Sequence, residues 1–328
     1  MDYNRIIAHT DFDGVSSAVL CSLKFNIGNF MFANPSDINY RKFSVYCADV
    51  IVDLPYASPA ALWYDHHSGN TEDLILKKID PALIAGIRRE EKSCARIIYD
   101  EFINDYPPFI ADLVAAADKI DSFDYKDLEE LRQETPARIV DCAMKIQDTL
   151  KERNNFLLYL VQQLSKISLD ELSKFSEIYD FYQKYLDDEE RMLNIIDKEY
   201  KVVELKFGKL ILLDFSEYKH PPRILKNLAF LKEPQSKIVI AINPVFKNNI
   251  KTTELSLTLS LSLNVEPNIF DLGDIVRELN IGDGHKGASA GRIVSKSKEQ
   301  MLKQKEMILG TVYKMLNQQG VKGINSVN

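Results

Sequence analysis

Histidine is scarce in this chain, five residues in 328, against 48 acidic side chains and a single tryptophan. Cysteine is scarcer still. The four present (Cys21, Cys47, Cys94 and Cys142) are scattered, with no close pair of the kind that builds a zinc ribbon. They read as reduced structural thiols of a cytoplasmic protein. No apolar run approaches the ~20 residues that a membrane-spanning helix needs. The N-terminal MDYNRIIAHTDFDG lacks the basic, apolar and small-residue series of a secretory signal. Repeats and low-complexity tracts are also missing. What remains is ordinary globular composition, 45% hydrophobic and 27% charged, at a length comfortable for two domains.

The net charge of −7 hides an asymmetry. From residue 201 onward there are 19 Lys+Arg against 12 Asp+Glu, whereas the preceding part holds 22 against 36. An acidic part that concentrates cations, joined to a basic part that attracts anions, suits a metal-dependent enzyme acting on phosphates.

The first ~125 residues alternate short apolar runs with helical spacing, which predicts a parallel α/β sheet. RIIAH (5–9), FMFA (30–33), DVIVDL (49–54) and ALWYD (61–65) read as buried strands. GVSSAVLCSLKF (14–25) and KSCARIIYDEFI (92–103) read as helices, and the pattern from 109 to 198 is almost wholly helical. After Lys201 the texture changes. KVVELKFGKLILLDF reads as two strands around Gly208 and KIVIAINP (237–244) as a third. LSLTLSLSL (255–263) alternates leucine with hydroxyl residues, as a half-buried strand should. A helix near 270–280, the loop GDGHKGASAGR and a charged helix close the chain. The expected fold is therefore α/β: an N-terminal parallel-sheet domain with a helical connector (1–198) and a smaller C-terminal α/β domain (199–328).

Two of the five histidines sit side by side in WYDHHSGN (63–70). Neighbouring side chains on an extended segment point to opposite faces, so the pair cannot share one packing environment. Three predicted strands run into aspartates: RIIAH into Asp11 and Asp13, VIV into Asp53, LWY into Asp65. In open α/β sheets, sites collect at the carboxyl ends of the strands. Carboxylates gathered there with His9, His66 and His67 would repel one another unless cations joined them. Two divalent ions answer that need. A mixed His/Asp set suits Mn²⁺, with Zn²⁺ and Fe²⁺ competing, while Mg²⁺ prefers shells of oxygen. Asp49 precedes the VIV run and is the rival of Asp53, which follows it.

HTDFDG, VIVD, the DHH triplet and AAADKIDS (115–122), in this order, resemble the DHH phosphoesterase superfamily, and GDGHKGASAG resembles the glycine-rich signature of its DHHA1 domain. Members include RecJ-type nucleases, short-oligonucleotide ribonucleases, cyclic-dinucleotide phosphodiesterases and exopolyphosphatase-related proteins. The resemblance implies that His9, Asp11, Asp13, Asp53, His66 and Asp118 are metal ligands, with Asp53 bridging two ions. Asp121 is the rival of Asp118 within ADKID, and motif context favours Asp118. His67 would face the substrate phosphate, with Asp65 orienting its neighbours.

In the second domain Gly284, His285, Lys286 and Arg292 would contact substrate, with Arg223 a weaker candidate. His220, in KHPPR, has no motif partner and reads as a surface or turn residue. Two departures from the family stand out. Asp283 replaces a glycine of the usual GGGH loop, and LSLTLSLSLN lacks the arginine often found on that strand. The expected activity is Mn²⁺-dependent hydrolysis of phosphodiester bonds in short oligonucleotides or small nucleotides, in the cleft between domains, through two-metal activation of a bridging water. A long-polymer nuclease fits less well, because no extended basic and aromatic tract is present. The alternatives are an exopolyphosphatase or pyrophosphatase, and a nucleotide-binding protein without catalysis. No membrane partner is expected, and a homodimer is allowed for.

Overall fold

The computed structural model describes residues 3–147, 149–220, 224–247, 250–263, 265, 269–284 and 286–327. Four strands form the first sheet: β1 (Arg5–His9), β2 (Phe30–Ala33), β3 (Asp49–Val52) and β4 (Leu62–Tyr64). All pair in parallel, in the order β2-β1-β3-β4. Their sequences are continuous apolar runs because both faces are covered. Ile6, Ala8, Val50, Val52 and Tyr64 join one core with the helices Phe12–Phe25, Cys94–Glu101, Ile110–Asp121 and Leu150–Leu164. The alternate residues Ile7, Ile51 and Trp63 join a second core with Ile38 and Leu74. Residues 85–88 run beside β4, since Trp63 donates to the Ala85 carbonyl and Asp65 to that of Ile87.

Among the described residues the second sheet has six strands: β5 (Tyr200–Leu205), β6 (Gly208–Asp214), β7 (Ile238–Lys247), β8 (Ile250–Leu261), β9 (Gly282–Gly284) and β10 (Ala288–Val294). Their order is β5-β6-β7-β8-β10-β9, antiparallel except for the β6–β7 pair. Leu255, Leu257 and Leu259 of β8 are fully buried with Ile238, Ile240 and Ile242 of β7, as the alternation predicts. Helices Leu272–Glu278 and Lys298–Val327 cover that face. Ile211, Leu213, Val239 and Ala241 bury the opposite face against Met192, Ile196 and Phe230.

The chain divides into two compact units, one holding residues up to Tyr125 together with Arg132–Leu186, the other Lys126–Leu131 with residues from Asp187 on. This division falls inside the helix Ser176–Glu199 rather than after it, and assigns 126–131 to the second unit.

Candidate metal centre

The β1–helix junction explains the form of HTDFDG. β1 ends at His9, and Asp11 caps the helix Phe12–Phe25, its Oδ1 accepting from the Gly14 amide at 2.9 Å. A Cβ on Gly14 would lie 2.4 Å from the His9 carbonyl oxygen, so only glycine lets helix and strand approach this closely. Asp13, on the first turn, is buried and accepts from the amides of Cys94 (2.7 Å) and Ala95 (2.9 Å), which open the helix Cys94–Glu101.

One residue past β3, Asp53 adopts the left-handed conformation with φ 56°. Its Oδ2 lies 3.4 Å from His9 Nδ1, and its Oδ1 lies 3.5 Å from His66 Nε2 and 3.7 Å from His67 Nδ1. These distances are long for hydrogen bonds, and neither buried oxygen of Asp53 makes one among the described residues. Asp11 Oδ2 stands 2.7 Å from His9 Nδ1. His66 Nε2 also faces Asp13 Oδ2 at 3.8 Å and Asp121 Oδ2 at 3.3 Å. Among the described residues, three sets of side chains could each hold an ion: His9, Asp11 and Asp53; Asp13, His66 and Asp121; Asp53, His66 and His67.

The adjacent histidines differ in exposure, with side chains 10% exposed for His66 and 53% for His67. They do not part to opposite faces: their rings meet edge to face at 4.1 Å, and both reach Asp53 Oδ1. His66 Nδ1 lies 3.1 Å from the Glu91 carbonyl oxygen, which can only accept, so the neutral ring carries its proton there. Its Nε2 lone pair then points at carboxylates and makes no hydrogen bond among the described residues. A lone pair aimed at three carboxylates is repulsive, and a cation between them makes it attractive. His67 Nδ1 lies 2.9 Å from Asp65 Oδ1, and Asn70 Nδ2 donates to Asp65 Oδ2 at 2.6 Å. Asp65 thus orients His67.

Alone, these side chains balance charge by holding protons. Burial would lower His9 and His66, yet the carboxylates around them push both up to about 10. Burial, reinforced by Asp53 and Asp121, holds Asp13 well above the usual carboxylate range, and burial pushes Asp121 up to about 6. The donor set, imidazole nitrogen with carboxylate oxygen around an orphaned buried carboxylate, fits divalent transition ions.

Asp118 is not in the cluster. Its Oδ1 accepts from Ser93 Oγ at 2.7 Å and its Oδ2 from Arg96 Nε (3.0 Å) and Nη2 (2.7 Å). Three residues further along the same helix, Asp121 rather than Asp118 is the carboxylate that meets His66. Asp49 faces away from the strand ends and pairs with Arg5 at 2.6 Å. Ser93 and Asn70 were not singled out from sequence, although a serine opening CARIIYDE is a helix-cap signature.

In the second unit, Gly284 ends β9, and Arg292 on β10 pairs with Glu254 at 3.3 Å. The carbonyl of Lys286 accepts from the Leu272 amide. Asp283, the departure from the family loop, is bound by Arg277 Nη1 at 2.9 Å, which also donates to the Gly284 carbonyl. His220 stacks on Phe246. His285 and Arg223 lie outside the described residues.

No protein-family model and no curated protein matches the chain. Solved structures do. A pGpG-specific phosphodiesterase, PggH, from Vibrio cholerae superposes with a TM-score of 0.71 at 20% identity, over 94% of this chain and 98% of that one. An exopolyphosphatase-related protein from Bacteroides fragilis gives 0.53 at 15% identity, over 96% and 94%. RecJ from Thermus thermophilus, solved with Mn²⁺, gives 0.55 at 15% identity, over 96% of this chain and 52% of RecJ. The chain therefore has the two-sheet fold that its motifs led us to expect. Among the described residues, no helix is long and apolar enough to cross a membrane.

Proposed function

We propose that this protein is a DHH-type, metal-dependent phosphodiesterase acting on small nucleotides or short oligonucleotides. The observation that carries the reading is Asp53: a buried carboxylate in a left-handed backbone, without a hydrogen bond, ringed by His9, His66 and His67. A charge buried so is costly unless it binds a cation.

His9, Asp11 and Asp53 would hold one ion, and Asp13, Asp53, His66 and Asp121 a second, with Mn²⁺ the best match to the donors. Divalent ions bound there polarise phosphoryl oxygens and lower the pKa of a water. The protein's own part is positional. Glu91 fixes the His66 tautomer, so that Nε2 is the free nitrogen. Asp65 takes the Nδ1 proton of His67 as a hydrogen bond and leaves Nε2 to meet a phosphate oxygen. Burial would lower His67, but Asp65 raises it above the ordinary histidine value, which favours a charged ring beside an anion. The likeness in fold to a pGpG-specific phosphodiesterase supports a linear dinucleotide as the first substrate to try.

The test is a hydrolysis panel in Mn²⁺: pGpG, cyclic dinucleotides, 3′-phosphoadenosine 5′-phosphate and polyphosphate, each repeated in EDTA. We expect Mn²⁺-dependent release of mononucleotides from the linear dinucleotide. Turnover of polyphosphate alone would favour the phosphoanhydride hydrolase. Nucleotide binding without turnover of any member would mean that catalysis is absent.

A further inference from the structure

We propose that Ser93, Asp118 and Arg96 act as one positioning unit that aims Asp13 and Asp121 at the same ion, an inference that rests on the metal-centre reading above. Asp13 is gripped by backbone: the Cys94 and Ala95 amides hold its two oxygens. Those amides point at Asp13 only while the start of the helix Cys94–Glu101 stays fixed. Ser93 is its cap, and its hydroxyl is committed twice, accepting from the Arg96 amide at 3.0 Å and donating to Asp118 at 2.7 Å. The Arg96 guanidinium closes the ring on the other oxygen of Asp118.

An ordinary cap would need only the serine. Here the cap is tied to a second helix, Ile110–Asp121, whose last residue is Asp121. One carboxylate, Asp118, thereby sets two helices in register. One presents the amides that hold Asp13, and the other carries Asp121. Both carboxylates converge on His66 Nε2, at 3.8 and 3.3 Å. Outer partners of this kind typically change metal affinity by ~10–100-fold when removed. Asp118, the residue that motif context favoured as a ligand, therefore serves the ion through its neighbours.

The test measures Mn²⁺ binding to the metal-stripped full chain by calorimetry, with thermal melts as a control for folding. Ser93→Ala and Asp118→Ala should each weaken one Mn²⁺ binding event by at least ~10-fold, and the double variant should lose little more than the worse single one, because the residues act together. Ser93→Thr, which keeps the hydroxyl, should restore affinity. If the alanine variants do not fold, Asp118→Asn, which still accepts from Ser93 but loses the charge facing Arg96, should show the same weakening in smaller degree. Folded variants that bind Mn²⁺ as the wild type does, or losses that simply add, overturn the proposal. A wild-type chain that binds no Mn²⁺ overturns the metal reading and this one with it.

Discussion

Asp53 sits where an aspartate is costly, in the left-handed region and buried with both oxygens unbonded. Such a residue persists when function needs it, and its removal should cost the metal-free fold little, because relief of the backbone offsets the loss of its ion pairs with His9 and His66. Asp53→Gly relieves the backbone and removes the charge together. We expect its melting temperature in EDTA to stay close to that of the wild type, while hydrolysis and stabilisation by Mn²⁺ are both lost. A lower melting temperature in EDTA would mean that the carboxylate holds the fold rather than an ion. At this scale most of the cluster was legible in the sequence. His9 ends a strand, Asp53 and His66 follow one, and Asp11 and Asp13 stand at the start of a helix; strand ends can be read from apolar runs. Motif context ranked Asp118 above Asp121, and helical spacing offered nothing against that ranking, because both lie on one helix three residues apart. Which of them meets His66 depends on Arg96, and that contact between two helices leaves no trace in local pattern.

Among the elements, the tightest constraint is the junction of β1 with the helix Phe12–Phe25. Gly14 lets the helix start pack on the carbonyl of His9, and the same turn delivers Asp11 and Asp13. Gly14→Ala places a methyl 2.4 Å from that oxygen, so strand and helix must part. Overpacking of this kind costs ~1–3 kcal/mol. We expect a lower urea midpoint and a larger fractional loss of Mn²⁺-dependent activity, since the ligands move with the helix. Wild-type values for both would show that the junction has slack. Most strands were legible because both faces of the first sheet are buried and the second alternates. β9 and most of β10 fall in GDGHKGASAGR, which reads as a loop and becomes strand only by pairing onto β8. β8 begins at Ile250, earlier than the leucine–hydroxyl pattern suggests, because its first residues pair with the end of β7 (Phe246 with Lys251, Lys247 with Ile250). That pairing needs a partner strand, not an apolar pattern.

On the scale of the whole chain, two sheets and an ordered set of motifs were readable from sequence, whereas the inclusion of 126–131 in the second unit was not. That segment lies between helical stretches of the first unit, and Leu128 packs with the Met192–Phe230 core. Helical spacing says that a face is apolar but not which core receives it. The acidic part of the chain bears the cluster, and this points to the most direct measurement of its nature. Crystals of the full chain grown with Mn²⁺ should give anomalous difference peaks at the manganese edge. We expect two peaks roughly 3.5–4 Å apart, each within bonding distance of the Asp53 carboxylate, one shared with His9 and Asp11 and the other with Asp13, His66 and Asp121. A well-ordered site with no peak beside Asp53 at saturating Mn²⁺ would contradict a metal-dependent phosphodiesterase.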